Sequence, residues 1–199
     1  MSSKGMRDFH DEIQAKIRNL LNEFGEGKIS NEQFNILYER FNNQLEMALG
    51  VIENTSSSSA IDDMSTIAIR NATMGKAIGM AIYHHRSGTY IETLGNFDLS
   101  PELISPTLNE FSKKIADKTF IDPITHKLDS GLWIVCMARN FTTAIVLFKN
   151  EPAPSQIREL ERLLHDFEIA NESNLNKMNV DKSKLAKPFV GFVRKKLRS

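Results

Sequence analysis

The first part of the chain carries apolar side chains at spacings of three and four. Met6, Phe9, Ile13, Ile17, Leu20 and Phe24 fall on one helical face, and Gly25 and Gly27 end that helix. Ser30-Asn31-Glu32-Gln33 then has the form of a capping box, in which the serine oxygen accepts the Gln33 amide hydrogen and the glutamine reaches back. Ile29 and Phe34 flank it as a hydrophobic staple. A second stripe of Phe34, Leu37, Tyr38, Phe41, Leu45, Ala48 and Ile52 makes a helical hairpin over residues 1–54. Two helices cannot shield both stripes. The hairpin is therefore expected to pack on the later domain or on a second copy of itself. The second copy is preferred, because the polar run Thr55-Ser56-Ser57-Ser58-Ser59 reads as a linker over 55–59.

Beyond the linker the period changes. Ile61, Met64, Ile67 and Ala68 predict a short helix with Asp62 and Asp63 in its first turn, where carboxylates favour the helix dipole. Lys76-Ala77-Ile78-Gly79-Met80-Ala81-Ile82-Tyr83 and Thr89-Tyr90-Ile91-Glu92-Thr93-Leu94 read as strands joined at Arg86-Ser87-Gly88. Ser100-Pro101 and Ser105-Pro106 each offer a cap followed by proline at the first helical position, and the second is taken as the start of a helix bearing Leu108, Phe111 and Ile115. Residues 119–130 read mostly as loop. The near-continuous apolar runs Leu132-Trp133-Ile134-Val135-Cys136-Met137 and Thr143-Ala144-Ile145-Val146-Leu147-Phe148 predict central strands covered on both faces. A closing helix follows Pro154 and Ser155, with Ile157, Leu160, Leu164, Phe167 and Leu175 on one side. The predicted fold class over 60–178 is α+β, an antiparallel sheet with helices packed on it.

The 199 residues are 41% hydrophobic, and 25 basic side chains balance 25 acidic ones, so nothing global points to nucleic acid. That balance hides an asymmetry: residues 1–54 hold six basic and nine acidic side chains, whereas 181–199 hold seven basic and one acidic. The segment 179–199 is accordingly read as a separate basic tail. One cysteine, Cys136, leaves no intrachain disulfide and no cysteine-rich zinc site. The beginning of the sequence lacks an apolar signal core, and a cytoplasmic location is expected.

The stretch Ala81-Ile82-Tyr83-His84-His85-Arg86-Ser87-Gly88-Thr89-Tyr90-Ile91, followed by Gly95, resembles the roadblock (dynein light chain) domains of the roadblock/longin group of profilin-like folds. Asp129-Ser130-Gly131-Leu132-Trp133 leading into the late strands and the closing helix extend the resemblance over about residues 60–176. It implies a noncatalytic protein that dimerises edge to edge and acts as a platform or regulator for a small Ras-like GTPase or a signalling complex. It carries over no individual functional residue, and the hairpin and tail depart from the pattern. PAS and GAF sensor domains share a similar layout, so a small-molecule sensor is the alternative.

Catalytic and ligand-binding signatures are few. Gly25-Glu26-Gly27-Lys28-Ile29-Ser30 superficially resembles a phosphate loop, but Asn22 replaces the first glycine and Ile29 the hydroxyl, so it reads as an interhelical turn. His84 and His85 are adjacent, would point to opposite faces of a strand and could not chelate one ion. No metal or other cofactor is expected. With Arg86 the two histidines form a candidate contact surface at the hairpin end. Cys136 reads as a core thiol. Asn171 falls where an apolar stripe would continue and is expected to cap a neighbouring loop, to fix pairing register as buried asparagines do in coiled coils, or to lie exposed. In the tail, Phe189, Val193 and Leu197 recur four apart, and Phe192, Arg194, Lys195 and Lys196 complete a short basic amphipathic segment. It is read as a solvated or docked arm, or as a contact for anionic lipid or an acidic protein surface, with nucleic acid ranked last for want of a stacking platform.

Overall fold

The computed structural model describes residues 3–56, 74–119 and 121–197 and divides into two units, Met1–Thr73 and Met74–Ser199. In the first, helices α1 (Ser3–Gly25) and α2 (Asn31–Ser56) form the expected hairpin. The capping box is present in both directions: the Gln33 amide donates to Ser30 Oγ (3.2 Å), and the Ser30 amide donates to Gln33 Oε1 (2.9 Å). Ile13, Ile17, Leu20, Phe34, Tyr38, Leu45 and Ala48 are buried, and the Phe24 and Phe34 rings meet across the turn at 4.9 Å. The short helix expected over 61–68 and most of the serine run lie outside the described residues. The second unit opens at Met74 rather than after residue 59, and it includes the tail.

That second unit holds β1 (Ala77–His84), β2 (Thr89–Gly95), α3 (Pro101–Ala116), β3 (Ile124–Lys127), β4 (Trp133–Ala138), β5 (Thr142–Phe148), α4 (Pro154–Leu175) and α5 (Phe189–Leu197). The five strands form one antiparallel sheet in the order β2-β1-β5-β4-β3, so the fold is α+β as expected. Every residue of β5 is buried, because it sits in the middle with neighbours on both edges and cover on both faces. On one face Ile134, Cys136, Ile145 and Leu147 pack with Ile104 and Phe111 of α3. Alternation sends Val135, Met137 and Val146 to the other face, on which the buried residues Leu160, Leu163, Leu164 and Phe167 of α4 supply apolar cover. At Gly79 a Cβ would stand 2.1 Å from the Asn96 carbonyl oxygen, so only glycine lets the chain leaving β2 cross so close to β1.

Three details differ from the sequence reading. α3 starts at Pro101 and runs through Pro106. Ser105 Oγ donates to the Pro101 carbonyl (2.7 Å), and Glu102, whose carbonyl loses a donor to Pro106, is exposed where water can serve it. Residues 124–127, read as loop, form β3, a short edge strand whose Thr125, His126 and Lys127 are exposed. The tail is not a separate object: α5 packs across β1 and β2 and against α4.

Candidate functional site

The β1–β2 turn was the leading sequence candidate. His84 is fully buried, and its Nε2 donates to the Leu175 carbonyl at the end of α4 (2.8 Å). A carbonyl can only accept, so Nε2 carries the proton, and Nδ1 accepts from Ser87 Oγ (2.9 Å) and the Ser87 amide (3.3 Å). Arg86 Nη1 donates to the Asn176 carbonyl just beyond the same helix end. His84 and Arg86 thus clamp the turn to α4, which corrects the expectation that His84 lies on a contact surface; Arg86 remains exposed.

His85 points the other way, as adjacent strand positions must, and its Nε2 meets Thr143 Oγ1 at 2.8 Å. Burial pushes its pKa down to about 4, opposed by the nearby Asn140 backbone carbonyl, while Nδ1 makes no hydrogen bond of good geometry. Above pH 6.5 the ring is neutral folded or unfolded. As pH falls from 6.5 to 4, the unfolded chain takes the proton first and stability drops. Allowing for the ring's partial exposure, we expect a loss of about 2 kcal/mol over that window that is absent in His85→Gln. Urea unfolding at a series of pH values checks this; parallel curves for the two proteins would refute it.

Asn171 is buried at 2% exposure, which rules out a surface role in this chain. Its Nδ2 donates to the carbonyls of Phe167 (2.8 Å) and Ala186 (3.0 Å), and its Oδ1 accepts from the Ala186 amide (2.7 Å). One turn on, Asn174 does the same with both backbone groups of Asp181 (2.8 and 3.0 Å). Two asparagines spaced three apart therefore hold the returning chain against α4. Lys187 pairs with Glu92 (2.6 Å) and Lys182 Nζ donates to the Tyr90 carbonyl (2.9 Å), so two tail cations are used on β2. Phe189 and Phe192 are 1% and 2% exposed, with the Phe189 ring 5.8 Å from Phe167. They are core, not contact surface. The side chains of Arg194, Lys195 and Lys196 lie outside the described part.

Cys136 is buried, and burial drives its thiol up to about 12, which keeps it protonated at neutral pH. Glu168 Oε1 accepts from the Phe141 and Thr142 amides and from Thr142 Oγ1 (2.8–2.9 Å), bracing the β4–β5 turn; burial nevertheless raises its pKa, with those donors opposing. Among the described residues, no cluster of three or more His, Cys, Asp or Glu is placed to hold a metal ion, and no helix is long and apolar enough to cross a membrane.

A groove of about 340 Å³ opens at the sheet rim, where the end of α3 and the approach to β3 meet the end of β4 and α4. Ile115, Ile121, Met137 and Leu164 contribute its apolar walls, and Lys118, Arg139 and Glu161 its charges. The backbone explains why it is there. The Leu128 amide donates to Leu132 O (2.7 Å) and the Arg139 amide to Thr142 O (2.9 Å), which fixes the alternation. Leu132, Ile134, Cys136 and Ala138 turn their N–H and C=O groups toward the β3 side. The β3 ladder stops at Ile124↔Cys136, preceded by Pro123, so it never reaches Ala138. No sequence motif marked this place: its lining comes from four separate segments.

No protein-family model matches the chain, and no curated protein matches it in sequence. Among solved structures it is similar to the crystal structure of MglC from Myxococcus xanthus, at 9% identity and a TM-score of 0.32, over 51% of this chain and 90% of that one.

Proposed function

We propose that this chain is a noncatalytic regulatory or scaffold protein that forms a homodimer and works through protein contacts, with a small Ras-like GTPase or a signalling complex as the partner class. The observation that carries this reading is the free edge of the sheet. The same alternation that aims Ile124 and His126 at β4 turns the backbone N–H and C=O groups of Thr125 and Lys127 outward, where a second chain can pair with them. The antiparallel sheet, with one helix between β2 and β3 and another after β5, is consistent with the α+β layout that the roadblock resemblance implies. The sensor alternative would use the space between sheet and α3, which Ile104, Phe111, Cys136 and Ile145 occupy. The buried, protonated thiol of Cys136 argues against that residue as a nucleophile.

Light scattering after size exclusion tests the reading. We expect a particle of about 45 kDa, twice the 22.6 kDa of one chain. Thr125→Pro removes one outward donor, which an edge strand tolerates, and should yield monomers. A wild-type monomer would overturn the dimer. A dimer that persists in Thr125→Pro would assign pairing to α2, on which Ile36 and Met47 are 62% and 72% exposed.

A further inference from the structure

We propose that the groove at the end of β4 docks an extended acidic segment of a partner protein, which pairs its backbone with Ala138 and its carboxylates with Lys118 and Arg139. This names the partner chemistry of the protein-contact reading above and rests on it.

Among the described residues, the N–H and C=O of Ala138 have no strand partner on the β3 side, and Ala138 lines the groove. A free anion could use only the donor. An extended peptide supplies an acceptor and a donor at the right spacing, as in strand addition. The charges then choose the peptide. Neither Lys118 nor Arg139 makes an ion pair among the described residues, and Glu161 is the one acid in the lining, so the groove is net positive and complementary to carboxylates.

Lys118 adds an independent sign. It closes α3 with φ of 53°, the left-handed conformation that glycine adopts freely at this position. Its amide donates to Ile115 O (3.1 Å) and the Thr119 amide to Lys114 O (2.9 Å), the bonds of a Schellman turn. A lysine held in a strained conformation at the mouth of a groove gives up stability that glycine would restore, and what it retains is a cation at that mouth.

The test is fluorescence anisotropy with the full chain and a labelled seven-residue peptide alternating valine and aspartate. We expect binding that weakens as salt is raised, and that weakens further when asparagine replaces aspartate in the peptide. Lys118→Gly and Arg139→Gln should each lower affinity about tenfold, and Lys149→Gln, exposed just past the end of β5, should leave it unchanged. Lys118→Gly should also melt at a higher temperature, so its lost binding could not come from misfolding. Absence of peptide binding, wild-type affinity in both groove variants, or displacement by inorganic phosphate at the peptide's own concentration would overturn the proposal. A chain that dimerises but fails these tests loses the groove assignment alone, and Thr125→Pro should bind the peptide as wild type does.

Discussion

Phe189→Ala should lower the unfolding free energy of the second unit by about 3–5 kcal/mol, the range for emptying a buried aromatic site. The ring is 1% exposed and sits beside Phe167, on a helix that packs across β1 and β2. Its removal leaves a cavity bounded by an edge hairpin and by α4, and collapse of α5 into it is opposed by the asparagine clamps upstream. The comparison that gives the number meaning is Met178→Ala, at a side chain 56% exposed, expected to change stability by no more than about 0.5 kcal/mol. Urea denaturation followed by circular dichroism measures both. If the tail were a detachable arm, the two substitutions would cost the same.

Asn171→Ala is the second large effect, about 3 kcal/mol. The amide of Asn171 is the hydrogen-bond partner of both backbone groups of Ala186, which is itself fully buried. Truncation orphans a buried N–H and a buried C=O together, and each costs roughly 1–3 kcal/mol where water cannot replace the partner. Asn171→Asp separates this polar account from simple loss of volume. A neutral aspartic acid can still accept from the Ala186 amide and donate its O–H to the Ala186 carbonyl, whereas the ionised form meets that carbonyl with a charge. Its folded pKa should therefore lie above the unfolded value. The variant should be closest to wild type below the unfolded pKa and lose stability as pH rises through the folded one. An Asn171→Asp protein whose deficit does not change with pH would contradict the clamp.

Both substitutions probe the place where sequence reasoning and structure diverge most. The charge count set 181–199 apart, because seven cations in nineteen residues look like a solvated or lipid-facing segment. Charge on a helix speaks for its outer face only. The apolar residues of the same segment, Phe189, Phe192 and Val193, are buried in the domain, and Lys182 and Lys187 reach back to β2. The residue that left a docked segment open was Asn171, whose polar head interrupts an apolar stripe and so had either to find a buried partner or to lie exposed. The partner, fifteen residues downstream, could not be named from the sequence.

β3 was invisible for a different reason. Ile124-Thr125-His126-Lys127 has no alternation worth reading, since an exposed edge strand buries almost nothing and is defined by the ladder on one side alone. The groove shares that cause: its existence depends on where a ladder stops.

The sequence by itself determined the helical hairpin with its reciprocal Ser30–Gln33 cap, the central strands β4 and β5, the turn closed by Gly88, and the α+β class. Each of these follows from periodicity or from bonds between near neighbours, which a linear pattern contains. The tertiary structure alone decided which strands lie at the edge, that α5 joins the core, that His84 faces α4 while His85 faces Thr143, and that Lys118, Arg139 and Ala138 line one groove. These depend on contacts between residues far apart in the chain, and no local pattern records which distant surface a side chain will meet.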